Sequence, residues 1–295
     1  METSLRTSIA VIALSGVLWG TSFVAVKIGL EYVDPYTFAL LRLLAAFVFS
    51  AAFLFIEERP RVTMLRERSI WILGALNAGG FIFQYVGLTY TTATRTAIIV
   101  NSNVAVTALL SWKIYHEPMG VAKIVALPTA ILGVFLLTTG GDVSSLSGGQ
   151  SMGDLLVLLA GLVWSLFIVL NKRAVSGKGS EVSQIVTWVM LVTSIGIAPF
   201  TFTLGTVGRV AVPWEGWIAV AYTAVFCTFL PYLLFSKGLR YVGATLSSLV
   251  LLIEVIVAIV SSALILGEQL ALGSGLGAVL VCASIILASR ESGSR

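Results

Sequence analysis

Ten stretches, each about as long as a membrane is thick and nearly free of charge, follow one another along this chain with little between them. They lie at about 8–30, 35–55, 69–90, 93–114, 120–138, 152–175, 182–204, 215–237, 243–265 and 271–289, and are numbered here as spans 1 to 10. A helix rises 1.5 Å per residue, so roughly 20 apolar residues cross the roughly 30 Å of hydrocarbon in a bilayer. The chain is 58% hydrophobic and 11% charged, with a mean hydropathy of +1.00. A soluble domain carries roughly 25% charged residues because it must cover itself with polar side chains. The expected fold is therefore an all-α integral membrane protein with ten transmembrane helices. Barrel strands alternate in polarity over about ten residues, whereas these runs are continuously apolar. Span 1 is too long for a signal peptide and lacks a small-residue cleavage pattern, so it is expected to be retained.

The 18 basic residues are distributed unevenly between the flanks of the spans. If the N-terminus is cytoplasmic, 14 of them fall on inward flanks, including Arg6, Arg59, Arg61, Arg66, Arg68, Lys172, Lys178 and Arg295. Only Lys27, Arg95 and Arg209 fall outside, and Arg42 lies within span 2. The positive-inside bias thus predicts that both termini are cytoplasmic. Cys227 and Cys282 both fall inside spans and suit neither a disulfide framework nor a metal site, and no cofactor or metal is expected. The expected partners are the lipid bilayer and a small-molecule substrate; no nucleic acid partner is expected, and a monomer is the expected state.

The sequence repeats itself. Gly16, Trp19 and Lys27 recur as Gly161, Trp164 and Lys172 at a shift of 145. Gly87-Leu88, Tyr90, Ala93-Thr94 and Glu117 recur as Gly238-Leu239, Tyr241, Ala244-Thr245 and Glu268 at a shift of 151. The expected organisation is a five-helix repeat over 1–138, an external linker over 139–151, and a second five-helix repeat over 152–295. Five is an odd number, so the repeats point in opposite directions across the membrane. Inverted repeats place a substrate site near the midplane, where the two halves meet.

Several polar or aromatic residues fall near the centres of their spans: Trp19, Trp164, Asn103 and Glu254. The two shifts pair Trp19 with Trp164 and Asn103 with Glu254. Helical spacing puts Thr96, Val100, Asn103 and Thr107 on one face of span 4, and Ser247, Leu251, Glu254 and Ala258 on the matching face of span 9. Ser248 is a further candidate on span 9, and Asn77 and Gln84 share a face of span 3. An acidic group at mid-membrane is costly and must face protein or water. Glu254 is thus a candidate for proton coupling or for binding a substrate amine, against a purely structural carboxyl. Arg42 cannot readily lose its charge. It either receives a substrate carboxylate, or bonds Glu254 or a backbone carbonyl. The tryptophans lie too deep for the interfacial belt, which leaves a stacking wall or helix packing. Asn101 and Asn103 are two apart, so one faces the cavity while the other bonds a neighbouring helix. Phe81, Tyr85 and Tyr232 add either aromatic wall or packing. Gly79-Gly80, Pro128 and Pro231 are candidate bending points, and Gly273 with Gly277 forms a GxxxG pattern suited to close packing within the chain or to a dimer.

At LWGTSFVAVK (18–27), at Pro35 with Leu41-Arg42, and through 93–118 and 243–268, the chain resembles the EamA-type branch of the drug/metabolite transporter superfamily. Within that branch it is most similar to the YddG-like exporters of aromatic and other neutral amino acids. The resemblance implies a bacterial inner-membrane, outward-directed secondary transporter with a central cavity between spans 1–4 and 6–9, working by alternating access. Family members often carry proline just after the middle of spans 4 and 9; Val104 and Val255 stand there, a departure that bears on whether those helices break. A multidrug or other metabolite exporter of the same fold is the nearest alternative, and a cationic drug would suit Glu254 and the tryptophans. A membrane enzyme is disfavoured: the chain has no HExxH, no paired intramembrane aspartates and a single histidine, His116, at a loop edge. No filter-like motif suggests a channel.

Overall fold

The computed structural model describes residues 2–139, 141, 151–176, 181–205, 212–267 and 273–293, and every regular element among them is helical. The first part holds α1 (Glu2–Gly29), α2 (Pro35–Glu57), a 3-10 turn (Val62–Arg66), α3 (Arg68–Tyr90), α4 (Ala93–Asn101), α5 (Asn103–Tyr115) and α6 (Val121–Thr139). The second holds α7 (Ser151–Val175), α8 (Val182–Leu204), α9 (Trp214–Ala224), a π turn (Val225–Phe229) and α10 (Leu230–Leu239). It continues through α11 (Ala244–Leu251), α12 (Ile253–Ser261), a second π turn (Ser262–Leu266) and α13 (Ser274–Gly293).

Every apolar run carries a helix. Among the described residues eight stretches are long and apolar enough to cross a membrane: Leu5–Gly29, Pro35–Glu57, Arg68–Tyr90, Arg95–Tyr115, Met152–Val175, Val182–Leu204, Trp214–Leu239 and Ala244–Leu266. Val121–Leu136 and Gly275–Ala288 are shorter apolar helices. Large apolar side chains such as Val48 and Phe55 on α2, Ile218 on α9 and Leu264 point outward, as lipid as solvent allows. The two shorter helices, α6 and α13, lie against each other, and a Cβ on Gly133 would stand 3.0 Å from the Gly277 carbonyl oxygen. The Gly277 end of the GxxxG pattern therefore packs within the chain.

Local chemistry fixes the helix ends. The Asp34 carboxylate accepts from the N–H groups of Tyr36 and Thr37, and Pro35 occupies the first turn, where its missing N–H costs nothing. The Glu117 carboxylate, in the loop before α6, accepts from Ser111, Lys123 and the N–H of Thr245 at the start of α11.

Contacts recur at the shifts seen in the sequence: the lysine bonds to the paired carbonyls of Leu88 and Leu239, and the close approaches at Gly87 and Gly238. Lys27 Nζ donates to the carbonyls of Leu88 (3.0 Å) and Thr91 (2.9 Å), and Lys172 Nζ donates to those of Leu239 (2.7 Å) and Arg240 (2.9 Å). Last-turn carbonyls lack helical partners, and a lysine ammonium satisfies both the bond and the helix dipole. A Cβ on Gly87 would meet Val157 at 2.8 Å and the Gly153 carbonyl at 3.0 Å; on Gly238 it would meet Ile12 at 2.6 Å and the Ser8 carbonyl at 2.9 Å. Shifts of 151 and 145 convert each partner in the first contact into its counterpart in the second.

Spans 4 and 9 are both interrupted, at Ser102 and at Leu252, without proline. Ser102 N–H reaches Ile99 O and Ala105 N–H reaches Ser102 O; Leu252 N–H reaches Leu249 O and Val255 N–H reaches Leu252 O. These three-residue bonds tighten one turn in each span. Gly79-Gly80 and Pro128 lie within uninterrupted α3 and α6. Most of the 139–151 linker, with Lys178, Arg209, Glu268 and Arg295, lies outside the described residues.

Candidate functional site

The helices α1, α3, α4, α5, α7, α10, α11 and α12 enclose a cavity of about 690 Å³, counting its open mouth, with Arg42 of α2 reaching its wall. Aromatic and polar side chains share its wall, the mixed lining of a small-molecule site. Of the candidate residues, Trp19, Arg42, Phe81, Gln84, Tyr85, Asn101, Asn103, Trp164, Tyr232 and Glu254 line it.

One part of the wall is aromatic. Trp19 packs edge-on to Tyr232 with centroids 5.2 Å apart and leans on Phe235 at 5.4 Å. Trp164 packs edge-on to Phe81 at 5.3 Å and to Phe167 at 5.7 Å, and Phe167 meets Tyr232 at 5.8 Å. Gly80 permits this: a Cβ there would lie 2.8 Å from the Trp164 ring, so only glycine lets the indole rest against α3. The Trp164 indole donates to Gln84 Oε1 at 3.3 Å. The Trp19 indole N–H has no such partner among the described residues.

Arg42 is 2% exposed. Its Nε donates to Thr228 Oγ1, one terminal nitrogen to the Tyr85 hydroxyl, and the other to the Cys227 carbonyl. Its guanidinium also stands over the rings of Phe81 (5.4 Å) and Tyr85 (5.7 Å). Pro231 accounts for the free carbonyl. A proline has no N–H to give to the carbonyl four residues back, which is Cys227. The adjoining π turn further loosens the ladder there, and π turns gather at functional sites. Of the alternatives open for Arg42, then, the backbone carbonyl is realised and the ion pair with Glu254 is not.

Glu254 lies in the first turn of α12, just after the Leu252 interruption, with Asn101 as its side-chain neighbour. Asn101 Nδ2 also donates to Ala97 O at 2.8 Å. Both Asn101 and Asn103 line the cavity, so the expected division between one cavity-facing and one helix-bonding asparagine gives way to two lining residues. The break at Ser102 turns both toward the opening.

Two candidates lie off the wall. Asn77 is fully buried, donating to Thr193 Oγ1 at 3.0 Å and accepting from the Tyr232 hydroxyl. It supports Tyr232 from behind, because α8 closes over that face where Gly74 meets Val192. Ser248 is buried and donates to Thr245 O at 2.9 Å within its own helix. Conversely, Ser22, Phe167, Ile168 and Phe235 line the cavity without having been candidates. The repeat carries a signal for three of them. Ser22 and Phe167 each stand one turn beyond a cavity tryptophan, and Phe235 is Gln84 shifted by 151. In all, twelve of the sixteen lining residues form six pairs at the two shifts: Trp19/Trp164, Ser22/Phe167, Phe81/Tyr232, Gln84/Phe235, Val100/Leu251 and Asn103/Glu254.

Among known proteins, the sequence profile of the EamA-like transporter family matches the chain twice, over residues 6–139 and 151–290. The uncharacterized transporter YyaM of Bacillus subtilis (strain 168) is 29% identical over 92% of this chain and 89% of its own length. The uncharacterized inner membrane transporter YicL of Salmonella typhimurium is 26% identical, covering 98% and 97%. A protein of the same organism named as a probable amino-acid metabolite efflux pump is 26% identical over 92% and 91%. A solved crystal structure with a TM-score of 0.79 and 14% identity covers 96% of both chains, a likeness of fold.

Proposed function

The chain belongs to the EamA-like transporter family, and we propose that it is a secondary carrier exporting small amphipathic metabolites, foremost aromatic and other neutral amino acids. The observation that carries this reading is the cavity itself. Part of its wall is aromatic rings, yet it holds one arginine and one carboxyl group in place. An apolar side chain fits among the rings while amide and charged groups hold the polar end of the same molecule. The name of the Salmonella efflux pump points the same way.

The mechanism proposed is alternating access between two inverted five-helix repeats, 1–138 and 152–295, joined by 139–151. In its support, the family profile matches twice, and the lysine and glycine contacts recur at constant shifts. One plan set in two directions gives two similar conformations that open to opposite sides. With spans 5 and 10 counted, ten crossings put both termini on the cytoplasmic side of a bacterial inner membrane, following the positive-inside bias. Glu254 is the proton-coupling candidate.

The test is counterflow in proteoliposomes with a panel of radiolabelled amino acids, with and without a pH gradient. Saturable exchange of phenylalanine or tryptophan supports the reading. Exchange confined to cationic drugs assigns the cavity to that cargo instead, and unsaturable flux marks a pore.

A further inference from the structure

We propose that Arg42 and Glu254 select the charge pattern of the cargo: Arg42 takes a carboxylate, Glu254 takes an ammonium group, and the site is built for a zwitterion. The inference rests on the amino-acid reading above and goes further by assigning each end of the molecule to a residue.

Arg42 is a buried cation that meets no carboxylate within ion-pair distance among the described residues, although it is 2% exposed. An uncompensated buried charge is strongly destabilising. Its three acceptors are neutral, and the ring faces of Phe81 and Tyr85 compensate it only in part. A guanidinium has five N–H bonds, and three are engaged, which leaves two for an anion in the cavity that Arg42 lines. The proline-freed carbonyl of Cys227, the Thr228 hydroxyl and the Tyr85 hydroxyl hold the group rigidly, so little ordering is needed when a carboxylate arrives.

Glu254 gives the complement. Its counterpart at a shift of 151 is the neutral Asn103, so the acid is not required by the helix frame. Among the described residues its side-chain neighbour is Asn101, and no cation pairs with it. An ammonium group in the cavity gives the carboxyl a charge-assisted partner. The two residues also work by exclusion. A simple amine brings a second cation near Arg42, and a simple carboxylate brings a second anion near Glu254, so each singly charged molecule is disfavoured once.

The experiment is exchange of radiolabelled phenylalanine in proteoliposomes against unlabelled phenylalanine, 2-phenylethylamine or 3-phenylpropanoate. In the wild type both analogues should exchange about tenfold or more weakly than phenylalanine, as expected of a site whose polar groups are left unpaired. Glu254→Gln should improve 3-phenylpropanoate relative to phenylalanine by about tenfold, and Arg42→Gln, which removes the cation, should do the same for 2-phenylethylamine. Because Arg42 also ties α2 to α3 and to the π turn Val225–Phe229, Tyr85→Phe provides a second variant and should shift the amine ratio in the same direction by a few-fold. Wild-type protein that exchanges phenylalanine and either analogue equally well overturns the inference and leaves the amino-acid reading standing. So do variants that keep the wild-type ratios. No exchange of phenylalanine at all overturns both.

Discussion

The stretches 6–139 and 151–290, which match the same family profile, agree in their frame and differ in what they bring to the cavity. Lys27 and Lys172 each bind one of the paired helix-end carbonyls of Leu88 and Leu239, and Gly87 and Gly238 admit equivalent neighbours. Gly16 and Gly161 likewise approach the carbonyls of Leu251 and Val100, themselves a pair. At the wall the correspondence loosens. Ser22, Gln84 and Asn103 in the first stretch face Phe167, Phe235 and Glu254 in the second. Close approach of helix backbones tolerates almost no change in side-chain volume, whereas a cavity wall has open space on one side. The frame stays duplicated for that reason, and the wall is where the halves differentiate: at these three pairs the first supplies neutral hydrogen-bonding groups and the second two rings and an acid, while the cation, Arg42, comes from the first stretch alone.

This contrast can be broken first at the frame. Gly87→Leu and Gly238→Leu should each destabilise the protein by about 3 kcal/mol, with similar losses in thermal unfolding measured in detergent. If one is tolerated and the other is not, the two contacts are not equivalent. The next largest effect concerns the acid. Glu254→Gln should lower phenylalanine exchange by about tenfold and flatten any dependence on pH, since a charge-assisted bond is lost. The paired change Asn103→Gln keeps an amide and should cost less than about threefold. A pH profile in Glu254→Gln that matches the wild type removes the carboxyl from coupling. The smallest contrast separates the tryptophans. Trp164→Phe breaks the bond to Gln84 and should cost about 1 kcal/mol of stability with little change in half-saturation. Trp19→Phe removes an indole N–H that has no partner among the described residues, on a ring that lines the cavity, and should weaken half-saturation about fivefold while leaving stability nearly intact.

Much of this was legible in the sequence because apolar length and internal shifts are properties a string of residues carries directly. The apolar runs coincide with the helices to within a few residues, and the shifts located Trp19, Trp164, Asn103 and Glu254 on one cavity. What escaped depended on rotation and on neighbours. The candidacy of Asn77 rested on its spacing from Gln84, but α8 covers that turn of α3 and bonds it through Thr193. Ser248 bonds back to its own helix before the interruption at Leu252 resets the cavity-facing side. The interruptions themselves carry no proline signal, since Val104 and Val255 stand where it would be. Nor does spacing reveal that Pro231, four residues after Cys227, frees the carbonyl that orients an arginine far away in the chain.

The central claim is that one cavity between the two stretches holds the cargo and opens to either side in turn. Ser22 lines that cavity on α1, so Ser22→Cys, in a background with the exposed Cys282 replaced by serine, reports on it directly. The measurement is labelling by a membrane-impermeant thiol reagent from each side, with and without phenylalanine. Labelling from both sides, slowed from both by phenylalanine, is the predicted result; labelling from one side alone, or labelling indifferent to phenylalanine, contradicts it.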